Sequence, residues 1–217
     1  MFIGHFGVGF GSKALSPRTS LGSLFMAAQF VDLLWPTLLL AGVERVEISP
    51  GITAVTPLDF TYYPVSHSLL AVLVWGLLFG VAYHLVNRYR RGAIVCGAAV
   101  VSHWILDVLA HRPDLPLYPG TEVKAGLGLW QSLPATLTVE GTIFVAGVLL
   151  YLRTTRATDR LGYLALGGLV VFLVAIYMGN LLGAPPPNIA AIAWTGQAQW
   201  ILVIWAYWVD RHRTVSR

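Results

Sequence analysis

The sequence predicts an all-α protein: a polytopic transmembrane helical bundle of six spans, with a short glycine-rich helix before them. Three observations carry this expectation. The 217 residues are 56% hydrophobic and only 11% charged, with a mean hydropathy of +0.69, which excludes an ordinary soluble domain. Apolar stretches long enough to cross about 30 Å of hydrocarbon recur along the chain. The basic residues stand in short clusters between those stretches, so the net charge of +4 reads as topology and no nucleic-acid partner is expected.

Residues 1–15 carry Gly4, Gly7, Gly9 and Gly11 and are too short to cross upright, so they should be buried against neighbouring helices. Residues 1–12 lack a basic n-region and no small-residue cleavage site follows an apolar core of proper length, so the first segment is expected to stay in the mature protein. The spans are expected at 21–41, 67–85, 92–109, 133–152, 161–182 and 189–209. Gly7 and Gly11, Gly76 and Gly80, and Gly179 and Gly183 have the small-xxx-small spacing of close helix contacts. The Gly-rich start has no strand before it, as a dinucleotide fingerprint would require. The single cysteine, Cys96, reads as a small buried hydrophobe. With no repeat or linker, residues 1–217 are expected to form a single integral membrane domain.

If the six spans alternate, eleven of the fourteen Lys and Arg residues fall on one side, and only Arg45, Arg112 and Lys124 on the other. The positive-inside rule makes the first side, with the C-terminus, cytoplasmic. Two long connections, 42–66 and 110–132, then lie outside, rich in Pro, Gly and aromatic residues that favour ordered interfacial turns.

His103, Asp107 and His111 follow one another at four-residue spacing in a strongly apolar stretch, which in a helix puts all three on one stripe. Ionisable groups are costly in hydrocarbon unless paired, coordinated or wet, so they mark function by default. At about 1.5 Å per residue, His103 lies roughly 18 Å, Asp107 roughly 24 Å, Asp32 roughly 21 Å and His5 roughly 12 Å from the nearest basic cluster. His67 opens its span from the outer end, and Glu140 enters a short way below the outer loop. All of them can meet in the outer half of the membrane.

His5, Asp32, His67, His103, Asp107 and His111 are therefore candidate metal ligands. Imidazole and carboxylate donors without cysteine suit Zn²⁺, with Mn²⁺ or Fe²⁺ also open, and their number permits one or two ions. A metal there would lower the pKa of water to about 7, with Glu140 or Asp32 as the catalytic carboxylate taking the proton. Alternatives stand beside each reading. His103 with Asp107 can be a metal-free hydrogen-bonded pair, and Asp32 can pair with Gln29. Ser66 and Ser68 read as caps, and Arg112 as a phosphate or lipid-headgroup contact. His84 and His212 read as cytoplasmic-edge residues. Asn180, Gln197 and Gln199 read as interhelical hydrogen bonders, and the tryptophans of the last span as lipid-facing.

At Gly4-His5, Asp32, Ser66-His67-Ser68-Leu69-Leu70 and Ser102-His103-x-x-x-Asp107, over about the first 120 residues, the chain resembles a family of bacterial inner-membrane metal-dependent hydrolases, also described as LexA-binding. That family is distantly similar to zinc-dependent phospholipase C enzymes. The resemblance implies that His5, Asp32, His67, His103 and Asp107 are metal ligands, and it implies the bacterial inner membrane as location. Here Asp32 is followed by Leu33-Leu34-Trp35-Pro36, where the family often has an Asp-x-Asp-His cluster. The expected function is a metal-dependent hydrolase of a phosphoester or lipid-like substrate, with membrane lipid as partner and the site toward the outer side. The rivals are a transporter that uses the same cluster as a proton or metal pathway, and a scaffold with a degenerate site. Oligomeric state is not legible in the sequence.

Overall fold

Ser20, Ser68, Ser132, Asp159 and Asn188 each precede an apolar run, and each accepts a hydrogen bond from the amide three residues on: Ser23, Ala71, Ala135, Gly162 and Ala191. These caps satisfy N-terminal amides that the helix itself leaves unpaired, and so set where the helices begin. In the computed structural model, which describes residues 1–216, the helices are α1 (Ile3–Leu15), α2 (Leu21–Ala28), α3 (Phe30–Leu40), α4 (Pro64–His67), α5 (Leu69–Asn87), α6 (Arg90–Ala110), α7 (Leu133–Thr154), α8 (Arg160–Leu182), α9 (Ile189–Gln197) and α10 (Gln199–Arg211). Five segments are long and apolar enough to cross a membrane, with α9 and α10 together making one; α2 and α3 make a sixth if counted as a single span.

That sixth span departs from the straight helix expected at 21–41. It bends by 56° between α2 and α3 at Gln29. Lipid tolerates such a break only where the freed backbone groups find partners. Here the Ala28 carbonyl accepts from His103 Nδ1 at 2.8 Å. His67 likewise does not open α5: it ends the one-turn helix α4, and Ser68 caps α5 after it.

α1 is buried, as its length and glycines predict, and lies against α7. A Cβ on Gly7 would come 2.7 Å from the Ile143 carbonyl oxygen, and one on Gly147 would come 2.0 Å from that of Gly7. Only glycine permits this backbone contact. Gly76 and Gly80 meet Gly97 and Ala93 of α6 in the same way. The third pair behaves otherwise: a Cβ on Gly179 would meet nothing within 4 Å, so this spacing marks open space instead of a helix contact.

Phe6, Phe10, Phe25, Phe144 and Tyr151 form an edge-to-face core between α1, α2 and α7. Beneath it, Asp210 of α10 accepts from Lys13 Nζ (2.7 Å), the Leu21 amide (2.6 Å) and the Tyr151 hydroxyl (2.8 Å). Lys13, counted in the sequence as a topology residue, is thus buried and neutralised. The expected turns of the long connections contain two-stranded pieces: β1 (Arg45–Ile48) with β2 (Leu58–Tyr62), and β3 (Leu115–Pro116) with β4 (Lys124–Ala125). A third pair, β5 (Thr155–Ala157) with β6 (Arg213–Val215), ties the end of α7 to the chain after α10. All three are antiparallel; β1 (Arg-Val-Glu-Ile) and β2 (Leu-Asp-Phe-Thr-Tyr) alternate polar and apolar residues, a short period-2 signal, whereas the strands of the other two pairs are too short to carry one.

Candidate metal centre

Four elements each deliver one or two ionisable side chains to a single point. His5 comes from the buried α1, Asp32 from α3 just past the bend, His67 from the end of α4, and His103 with Asp107 from one face of α6. Asp107 Oδ1 lies 3.1 Å from His5 Nε2 and 2.5 Å from the Met1 amine; its Oδ2 lies 3.2 Å from His103 Nε2 and 3.8 Å from His67 Nε2. Asp32 Oδ1 is 3.4 Å from His67 Nε2 and 3.6 Å from His103 Nε2. The His5 ring stacks on His103 with centroids 3.6 Å apart. Two triads, His5–His103–Asp107 and Asp32–His67–His103, have donor atoms within 4.8 Å of one another.

The outward hydrogen bonds of two rings fix which nitrogen faces this point. His103 Nδ1 donates to the Ala28 carbonyl, which can only accept, so in the neutral ring it is Nε2 that carries the lone pair. His67 Nδ1 is 2.6 Å from Ser66 Oγ, and Ser66 gives its only hydroxyl proton to Glu44 Oε2 at 2.6 Å. His67 Nδ1 must then be the donor, and its Nε2 also presents a lone pair. In their neutral forms the two rings turn lone pairs toward two carboxylates, of which Asp107 already meets the Met1 ammonium, and a divalent cation between them would be bound by all four groups. Consistent with this, the buried His103 Nε2 makes no hydrogen bond despite its short distances to both carboxylates. The donor set fits a divalent metal of zinc type.

Glu44 is a residue that sequence reasoning passed over. It is 2% exposed and accepts from the amides of Val65 and Ser66 (both 2.8 Å) as well as from Ser66 Oγ, so it holds α4 and, through Ser66, the His67 ring. Its sequence signal was slight: one acid beside Arg45 in a long connection. Such outer partners are typically worth about 10–100-fold in metal affinity. Glu44→Gln should weaken metal binding by about that factor while the helical circular dichroism is retained, as titration of the apo protein with zinc would show.

Two expected site residues stand apart from the triads. His111 caps the end of α6 and bonds Asp114 Oδ1 through Nδ1 at 2.9 Å. Tyr63 donates to the same Asp114 oxygen at 2.8 Å, and Arg112 pairs with both Asp114 and Asp59, so Arg112 is held by acids. Burial pushes the Asp114 carboxyl up, but the hydrogen bonds from His111, Tyr63 and Arg112 outweigh it and hold that group below the usual carboxylate range. Glu140 caps α1: its Oε2 accepts from the amides of Phe2 (3.0 Å) and Gly4 (3.3 Å). Both His111 and Glu140 nevertheless line the cavity that adjoins the cluster.

Gln29 makes no bond to Asp32; both of its side-chain polar atoms lack partners. Gln197 Nε2 does bond across helices, to Thr37 of α3 at 2.7 Å. Gln199 Oε1 does not. His212 pairs with Asp159 at 2.7 Å at the protein surface.

Membrane-spanning helices around a buried histidine and carboxylate cluster that can hold a metal define a polytopic membrane protein with a candidate metal centre. Residues 64–183 match the YdjM inner membrane protein family, and the chain belongs to that family. The match begins later and reaches further toward the C-terminus than the resemblance read from the first 120 or so residues. It spans His67, His103, Asp107, His111 and Glu140, while His5 and Asp32 join from outside it. No curated protein and no solved structure matches the chain.

Proposed function

We propose that this inner-membrane protein is a metal-dependent hydrolase of a phosphoester or lipid-like substrate. The observation that carries the reading is the pair of inward-facing imidazole Nε2 atoms set against two carboxylates beside a cavity of about 760 Å³. His5, Asp32, His67, His103 and Asp107 would hold the ion, with zinc the best match to the donors. When bound, a divalent metal makes water acidic enough to react near pH 7 and stabilises negative charge on phosphoryl oxygens.

The chain's own residues supply the rest. His67 and His103 are locked in one tautomer by Ser66 and the Ala28 carbonyl. Asp107, nearly inaccessible, fixes the charge of the site. Asp32, with 22% of its side chain exposed and lining the cavity, is the carboxylate best able to take a proton from the attacking water. Water oxygen bonds to phosphorus, the bond to the leaving oxygen breaks, and the proton passes through Asp32 to that oxygen. Glu140, engaged by two amides, serves α1 rather than this transfer. The basic-residue bias supports a cytoplasmic C-terminus and a site toward the outer side.

The test is elemental analysis of purified protein together with hydrolysis of bis(p-nitrophenyl) phosphate. Near-stoichiometric zinc and turnover, both lost in His103→Ala, are expected. Metal that supports flux across liposomes but no hydrolysis would favour transport, and absence of metal would favour a scaffold.

A further inference from the structure

The cavity beside the cluster has polar wall groups that the hydrolysis chemistry leaves unused. Tyr177 of α8 and Gln199 of α10 line it, with Trp35 of α3. The Tyr177 hydroxyl, Gln199 Oε1 and Trp35 Nε1 are buried and lack any hydrogen-bond partner, and Tyr177 and Trp35 are only 5% and 8% exposed. Unpaired buried polar atoms cost about 1–3 kcal/mol each. All three atoms lie just behind the cavity wall, with almost no accessible surface of their own, and a turn of each side chain would bring it to a polar ligand in the cavity.

The same cavity also reaches the lipid-facing surface. Phe172 and Ile201 line it and are 43% and 60% exposed, each near the middle of a spanning segment, where the surroundings are hydrocarbon. A side chain on Gly179, another lining residue, would meet nothing within 4 Å, so the wall is open there. A cavity of about 760 Å³ suits a headgroup and its adjoining ester groups rather than a whole two-chain lipid. Acyl chains attached to such a ligand would have to leave through that wall.

We infer that the substrate is a membrane phospholipid that reaches the cavity sideways from the bilayer past Gly179. Its phosphate lies at the Asp32, His67 and Asp107 end, its other polar atoms meet Tyr177, Gln199 and Trp35, and its chains remain in hydrocarbon along Phe172 and Ile201. Trp35 and Tyr177 donate to ester or phosphate oxygens; Gln199 Oε1 accepts from a headgroup hydroxyl or amine. The inference rests on the hydrolase reading for the fate of the phosphate, but not for binding.

The experiment uses the full chain in phosphatidylglycerol vesicles that carry a trace of a phospholipid with a photoactivatable diazirine in one chain. Cross-links should concentrate on the peptides bearing Phe172 and Ile201. Gly179→Trp should abolish them while labelling of the lipid-facing α5 persists. Tyr177→Phe combined with Gln199→Leu should lower them by about ten-fold, as expected for two lost hydrogen bonds. Uniform labelling of every lipid-facing helix, or labelling indifferent to these variants, would overturn the inference. Site-specific labelling without headgroup release would uphold lipid binding and remove the hydrolase reading. Turnover of bis(p-nitrophenyl) phosphate without site-specific labelling would do the reverse.

Discussion

Asp107→Asn should empty the metal centre and loosen α1 in the same step. Among the cluster residues, Asp107 alone approaches all three histidines: His5 and His103 at 3.1 and 3.2 Å and His67 at 3.8 Å. Asparagine keeps the shape but loses the charge and one acceptor. Metal affinity should fall by more than the roughly 100-fold that marks the upper range for outer partners. The His5 hydrogen bond, which tethers α1 to α6, becomes neutral; bonds to charged groups contribute about 1.5–3 kcal/mol, so much of that stabilisation disappears. Zinc titration and thermal unfolding in detergent read the two effects separately. Unchanged zinc affinity would rule out Asp107 as a ligand.

Gly147→Leu should damage the protein more broadly, although it lies away from the cluster. A Cβ at this position would stand 2.0 Å from the Gly7 carbonyl oxygen, and that atom is backbone that cannot swing aside. α1 and α7 must separate, and His5 leaves with α1. Overpacking a well-filled core costs about 1–3 kcal/mol, and a backbone clash belongs at or above the top of that range. Gly141→Leu on the same helix is the control, because a Cβ there meets nothing within 4 Å. A large loss of thermal stability and bound metal for the first variant, and near-neutrality for the second, is the expected contrast.

These results bear on how much the chain discloses before it folds. The spans were legible because lengths of apolar residues near 20 have few other uses. His5, Asp32, His67, His103 and Asp107 were legible because ionisable groups are rare in hydrocarbon, and the structure brings all five together. The bend at Gln29 was not, since apolar residues run straight through it and its compensation, the bond from His103, comes from 75 residues away. Glu140 looked like a base because its depth was right; its partners, the amides of Phe2 and Gly4, lie 138 and 136 residues distant and leave no local pattern. His111 kept the four-residue spacing of His103 and Asp107, but α6 ends at Ala110, so the stripe stops one residue short of it. Glu44 resembled an ordinary loop acid and acquires its place only when α4 folds against it. Local periodicity and the rarity of polar groups in lipid carry information in sequence; pairings between distant segments do not.

X-ray absorption at the zinc edge of the metal-loaded, purified protein tests the central claim most directly. The account predicts a first shell of imidazole nitrogen at about 2.0–2.1 Å with carboxylate oxygen and no sulfur, and loss of imidazole scattering in His103→Ala. A sulfur shell, or a spectrum that His103→Ala leaves unchanged, would contradict it.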